Sequence, residues 1–247
     1  MRLKNEDGKS WLLGKHRDKY SLDTDYNSEH FSRHKKMEDK RAEDDKRIVR
    51  PKKTTAKIIH PSVIGRKLNN PIKPMLASVS ENIFDYTDWL YELKLDGYRA
   101  IAELGNEEIR LYSRNGLSFF DKYPVLSEAL KKIKHNAVLD GEIVLLDEVG
   151  KPSFQKLQHY EANPGHPLVY YFFDLLMLNG FDTTGLELTK RKELLKKLLG
   201  KNKIIKYCAH ISDKGSAFYK KVVSQNMEGI IAKFKNSTYH PGIRSKH

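Results

Sequence analysis

Residues 168–178 read LVYYFFDLLML, eleven positions that carry one charge, Asp174. Successive side chains of an extended chain point to opposite faces, so a run this apolar has to be covered on both sides. It therefore reads as a buried central strand, and whatever the chain folds into must build a sheet around it. The same run is too short to cross a bilayer, which takes about 20 apolar residues in a helix. The 247 residues leave room for one large domain, or one medium domain with an appendage, and for a sizeable core.

Charge narrows the partners. The chain has 45 Lys and Arg against 32 Asp and Glu, a formal net charge of +13, with a sequence pI near 9.5. Clustered cations gain affinity for a polyanion by releasing its condensed counterions, so nucleic acid is the partner that fits. Cys208 is the one cysteine, which excludes a disulfide framework and a Cys-x-x-Cys zinc site and points to a reducing, cytosolic setting. His135, His159, His166 and His210 show no metal-ligand spacing and read as surface or structural residues. The first ten residues, MRLKNEDGKS, lack the apolar core of a signal peptide, and the chain reads as soluble.

Three regions follow from composition. Residues 1–22 resemble a hairpin, with Asn5, Glu6, Asp7 and Gly8 at its turn. Residues 23–66 are rich in mixed charge and poor in aliphatic side chains, too poor to offset the entropy of ordering, and read as a linker. The alternative there is a solvated, salt-bridged helix around Lys35 to Arg47. From residue 67 on, strand and helix signals alternate. WLYELKLDGYRAIAEL and EEIRLYSRNG predict consecutive strands, the second ending in an Asn115-Gly116 turn. A helix is predicted over Tyr123 to Lys134, then the strands AVLDGEIVLLD and LVYYFFDLLML. A helix capped by Thr189 and stopped at Gly200 comes next, then one near Ser216 to Asn226, and last the strand GIIAKF. The predicted class is α+β, with largely antiparallel sheets flanked by helices.

The stretch WLYELKLDGYRA carries the chemistry. In a strand, Trp89, Tyr91, Leu93 and Leu95 point one way, and Glu92, Lys94 and Asp96 the other, which sets a lysine between two acids. Taken alone this is an exposed strand laced with surface ion pairs. Three further segments have the same form, an apolar strand that delivers polar residues: LYSRNG with Arg114, LDGE with Asp140 and Glu142, and MEGIIAK with Glu228 and Lys233. A lysine amine attacks the α-phosphate of a nucleotide once it is deprotonated, for which its usual pKa of about 10.4 has to be lowered. Arginines suit the phosphates, and acids suit Mg²⁺.

The ordered set KLDGYR, SRNG, LDGE, FFDLL and EGIIAK resembles the motifs of the covalent nucleotidyltransferase superfamily. The flanking text is similar to ATP-dependent DNA ligases, in particular the ligase domain of bacterial DNA ligase D, from about Pro74 onward. That resemblance implies a nucleotidyltransferase (ATP-grasp-like) adenylation domain. In it Lys94 would form the lysine-AMP phosphoramidate, and Glu92 would read the adenine amino group. Arg99 and Arg114 would lie near the phosphates and the nick, and Lys233 would belong to the nucleotide site. Glu142 would serve ribose and metal, Glu228 would be a second metal acid, and Phe173 would stack on the base. The alternatives are a plain core role for Phe173 and a solvated strand end for Lys233.

ATP as substrate, Mg²⁺ or Mn²⁺, and nicked or broken double-stranded DNA are the implied ligands. Other end-joining proteins are implied partners, no membrane is involved, and the implied setting is a bacterial cytoplasm at the nucleoid. In the family a tryptophan and two lysines follow a segment like YHPGIRSKH, then an oligonucleotide-binding domain, whereas this sequence stops at His247. GKSWLLGKHRDKYS is similar to the last strands of a 3'-phosphoesterase domain. A piece from the middle of a multidomain end-joining enzyme, or the product of a gene broken at both ends, is therefore expected, its adenylation step weakened by loss of α-phosphate contacts. The competing readings are an RNA ligase or GTP-dependent capping enzyme, and a non-catalytic module that only binds nucleotide or DNA.

Overall fold

The computed structural model describes residues 71–80, 82–105, 108–163 and 165–244; the hairpin expected over 1–22 and the linker expected over 23–66 lie outside them. In chain order the described strands are β1 (Trp89–Leu93), β2 (Tyr98–Leu104), β3 (Ile109–Ser113), β4 (Ala137–Leu145), β5 (Leu168–Leu178), β6 (Phe181–Asp182), β7 (Ile205–Tyr207), β8 (His210–Ser212) and β9 (Ile230–Phe234). The described helices are α1 (Pro124–Leu130), α2 (Phe154–Gln158), α3 (Leu188–Leu199) and α4 (Gly215–Ser224).

The apolar run is the interior strand that its composition demands. β5 lies between β4 on one side and β6 and β7 on the other, in a six-stranded sheet of order β3-β2-β4-β5-β6 with β7 added on β5. A second sheet has the order β8-β1-β9. Every pairing is antiparallel except β5 with β7. Ala100, Ala102, Leu139, Ile143 and Phe172 face a main core that Leu126 and Leu130 of α1 and Leu195 of α3 close. Truncating one such buried leucine to alanine costs about 2–5 kcal/mol. Ile101 and Val138 face the other way, into a smaller cluster under Ile72, Met75 and Tyr239. The small sheet packs Trp89 and Tyr91 against Val222 of α4.

Three expectations are corrected. WLYELKLDGYRAIAEL is not one strand: β1 ends at Leu93, β2 begins at Tyr98, and the two belong to different sheets. The reason lies at Gly97, where a Cβ would sit 2.1 Å from the Ile143 carbonyl oxygen, so only glycine lets the chain press against β4 as it changes sheet. The helix expected to Lys134 ends at Leu130. Tighter turns, with Lys132 N–H on Ala129 O and Ile133 N–H on Leu130 O, carry Ile133 to the core instead. Thr189 does not cap α3, because Glu187 holds that position without a side-chain bond, while the Thr189 N–H donates to Lys235 O at 3.2 Å. Gly200, with φ +55°, does stop α3, and Gly116, with φ +85°, does make the predicted turn.

Candidate active site

The two sheets meet at the ends of β1 and β9. Antiparallel register sets Leu93 opposite Ile230, and one step further the Lys94 N–H donates to the Gly229 carbonyl at 2.9 Å. Lys94 and Glu228 thus leave the sheet side by side although 134 positions separate them, and the Lys94 ammonium donates to Glu228 Oε1. Their side chains are 16% and 33% exposed, so solvent or a ligand reaches the pair. Asp96 is exposed and Glu92 is occupied elsewhere, so the lysine set between those two acids by strand alternation has a different partner, Glu228.

Glu92 is sealed at 2% exposure. Its Oε1 accepts from Lys192 of α3, and its Oε2 lies 2.7 Å from the Lys233 ammonium. Burial pushes the Glu92 carboxyl up, but the two ammoniums outweigh burial and hold it below the ordinary range. Lys233 lies diagonally across the β1–β9 ladder, opposite Leu90 while Glu92 faces Ile231, which is why the two side chains meet.

The opposite wall comes from β2, β4 and β5. Arg99 forks onto Asp140, with Nε to Oδ1 at 2.9 Å and Nη2 to Oδ2 at 2.7 Å, and Nη2 also donates to Met75 O at 2.8 Å. The Tyr239 hydroxyl donates to Asp140 Oδ2 at 2.6 Å and accepts from the Met75 N–H at 2.9 Å. Glu142 faces Arg99 across the ladder. Burial, with Asp140 and Glu228 adding repulsion against the pull of Arg99 and Lys94, raises its carboxyl to about 8. Between Asp140 and Glu142 a Cβ on Gly141 would lie 2.3 Å from Tyr171 O, so the glycine of LDGE lets β5 approach.

Phe173 is the extra residue of a β-bulge. The β4–β5 register passes from Asp140 opposite Asp174 to Gly141 opposite Phe172, and a bulge re-aims the side chain it leaves unpaired. The ring is part-exposed, with the Arg99 guanidinium 4.8 Å and the Lys233 ammonium 4.4 Å from its centroid. It therefore stands with the polar group and not in the core. Asp174 beside it is buried and clamped by Arg191, at 2.7 and 3.0 Å. Lys94, Glu92, Arg99, Glu142, Phe173, Glu228 and Lys233 are thus gathered around one junction of the two sheets. Arg114 sits apart: its side chain is exposed past the end of β3, though its N–H donates to Arg99 O at 3.1 Å.

Three participants, Arg191, Lys192 and Tyr239, escaped the sequence. Arg191 and Lys192 sit in KRKELLKKLL, which reads as a basic solvated helix, yet they are 0% and 1% exposed. Tyr239 bonds Asp140, the partner of Arg99, across 99 positions. The available signal was the buried acids: Glu92 and Asp174 in apolar strands demand buried cations.

An amine paired to a carboxylate, an aromatic face, two arginine or lysine clamps and free acids suit a nucleotide phosphate and base. Among the described residues no three His, Cys, Asp or Glu side chains cluster as a metal cage. Glu142 with Glu228 nevertheless fits Mg²⁺, which takes one or two carboxylates and completes its shell with substrate phosphates and water. Their mutual repulsion is what a divalent cation would relieve.

The two curled antiparallel sheets match the architecture of ATP-dependent ligase nucleotidyltransferase domains. The chain belongs to the ATP dependent DNA ligase domain family, whose model matches residues 74–247. The multifunctional non-homologous end joining protein LigD of Pseudomonas aeruginosa is 35% identical over 172 residues, 68% of this chain and 20% of that protein. The DNA ligase of Sulfophobococcus zilligii is 34% identical over 200 residues, 70% of this chain and 32% of that protein. A solved mycobacterial DNA ligase D complexed with ATP and MES superposes with a TM-score of 0.62 at 32% identity, over 70% of this chain and 57% of that one. The chain spans about a fifth of the length of the LigD relatives it matches. No described helix is long and apolar enough to cross a membrane.

Proposed function

We propose that residues 67–247 form the adenylation unit of an ATP-dependent DNA ligase, after a charged linker over 23–66, with Lys94 as nucleophile. The observation that carries this is the Lys94–Glu228 pair, solvent-accessible and set where the two sheets meet. Glu228 accepts the ammonium's hydrogen bond and is placed to take its proton. The freed Nζ lone pair attacks the α-phosphorus of ATP, an N–P bond forms, and the bond to pyrophosphate breaks.

Phe173 stacks on the adenine and Glu92 accepts from its amino group. Arg99 and, from the exposed rim, Arg114 face phosphates of nucleotide and DNA, and Lys233 belongs to the nucleotide site at its base end. Glu142 and Glu228 would hold Mg²⁺, which would supply charge neutralisation at the phosphates. AMP then passes to a 5'-phosphate of nicked or broken duplex DNA, whose adjacent 3'-OH displaces it, as suits end joining with other repair proteins at the bacterial nucleoid. The net charge of +13 supports a DNA partner.

The test is incubation with α-labelled ATP and Mg²⁺ or Mn²⁺, followed by a denaturing gel, with Lys94→Ala alongside. Label on the wild-type chain that vanishes in the variant supports the reading. Salt-dependent DNA binding with no covalent AMP would sink it in favour of a binding module, and labelling by GTP alone would favour a capping enzyme.

A further inference from the structure

We propose that Lys192 is the positioning residue that fixes the Glu92 carboxylate toward adenine, and so sets the preference of the site for ATP over GTP. This rests on the reading of Glu92 as the acceptor of the adenine amino group. The two oxygens of Glu92 are held by different kinds of partner. Oε1 takes Lys192, a side chain 2% exposed. Its ammonium also donates to Cys208 O at 3.2 Å and lies 4.6 Å from the Tyr207 ring centroid. Those three contacts come from β1, the β7–β8 link and β7, so the ammonium is held by elements of both sheets.

Oε2 takes Lys233, 15% exposed and on the open side of the carboxylate. The same ammonium lies 4.4 Å from the Phe173 centroid. It therefore touches both groups assigned to the base, a donor to Glu92 lying on the aromatic face. An amino group of a stacked purine makes the same two contacts. Lys233 thus stands in the place of the base amino group, and an arriving nucleotide displaces it.

Once Lys233 has moved, Lys192 is the one cation left on Glu92 in this ion-paired set. Two things then depend on it. It keeps the carboxylate charged inside a sealed site, where an unpaired charge would otherwise take a proton. By occupying Oε1 it leaves Oε2 as the outward acceptor. Adenine offers an N6 amino donor at the six-position and guanine an O6 acceptor. A fixed carboxylate rewards the first and repels the second, which is discrimination by an unpaired polar group. A protonated Glu92 offers a hydroxyl that suits the guanine O6 as well.

The test compares equilibrium binding of ATP and of GTP to the full 247-residue chain, by calorimetry. The chains are wild type, Lys192→Met, Lys192→Gln, Lys192→Arg and Glu92→Gln, each with a thermal melt. The expected result is that Lys192→Met lowers the ATP-to-GTP affinity ratio by roughly tenfold or more, as Glu92→Gln does, while Lys192→Arg keeps most of it. Loss of packing alone would weaken both nucleotides together and leave the ratio unmoved. A wild-type ratio in either neutral variant that folds, with Glu92→Gln still losing it, overturns the role of Lys192. An unchanged ratio in Glu92→Gln overturns the reading of Glu92 itself and the inference with it.

Discussion

The back and the front of the candidate site are both built from ion pairs, and they differ in how many contacts hold each charge. At the back, Arg191 grips Asp174 with two bonds and Ser237 O with a third at 2.9 Å, at 0% exposure. Asp140, sealed like Asp174, takes two bonds from Arg99 and one from Tyr239, although the Arg99 side chain itself is 24% exposed. At the front, Lys94 has one carboxylate partner and both are open to solvent. A sealed, multiply bonded pair fixes geometry, and removing one member leaves a buried charge. A single, exposed contact contributes little to stability and is easily exchanged for a ligand. The fold thus keeps the lysine proposed to react on the side where a contact is easily exchanged.

The largest expected effect is at the front. Lys94→Ala should abolish covalent labelling by α-labelled ATP while changing unfolding free energy by no more than about 0.5–1 kcal/mol. Residual label equal to wild type would remove Lys94 from the chemistry and erase the contrast. At the back the effect reverses in kind. Arg191→Met should lower unfolding free energy by about 3–5 kcal/mol, because Asp174 is left buried without its counter-charge. Urea melts measure it, and a loss below about 1 kcal/mol would mean that the back is no more fixed than the front.

This contrast also separates what the sequence made legible from what it hid. The front lies in short local words. KLDG and LDGE each contain a glycine forced by a close backbone approach, Gly97 to Ile143 O and Gly141 to Tyr171 O, and EGIIAK puts Glu228 at the mouth of a strand. The central strand was legible from apolarity alone. The back was not, because its pairs join residues far apart. Lys192 reaches Glu92 over 100 positions, and nothing in KRKELL marks which cations turn inward. Helix α3 also hid its start, since Glu187 caps it without a side-chain bond. The sheet change at Gly97 was missed for a related reason: period-two alternation continues through both strands and carries no mark of the break.

A third effect, smaller per step, comes from Glu142. Burial raises its carboxyl from 4.5 to about 8 in the folded chain. Between those values the folded state keeps a proton that the unfolded chain has released, so the unfolded state binds fewer protons and stability falls as pH rises. The slope is at most about 1.4 kcal/mol per pH unit across pH 5 to 8. Metal-free urea melts at several pH values should show it for wild type and not for Glu142→Gln. A wild-type curve flat across this window would show Glu142 already ionised. Front and back would then differ in exposure but not in electrostatic tension.

The smallest effect joins the two regions. Tyr239 donates to Asp140 Oδ2 and accepts from the buried Met75 N–H, so Tyr239→Phe strips one bond from Asp140 and orphans one backbone donor. The expected loss is about 1–2 kcal/mol of unfolding free energy. Arg99 keeps both bonds to Asp140 and its bond to Met75 O, so its position beside Phe173 should survive. ATP labelling should therefore continue at a rate within about threefold of wild type, since no group proposed to touch ATP is removed. A fall of a hundredfold with stability intact would place Tyr239 among the residues that set the phosphate contacts. The back would then be part of the reacting apparatus and not only its support.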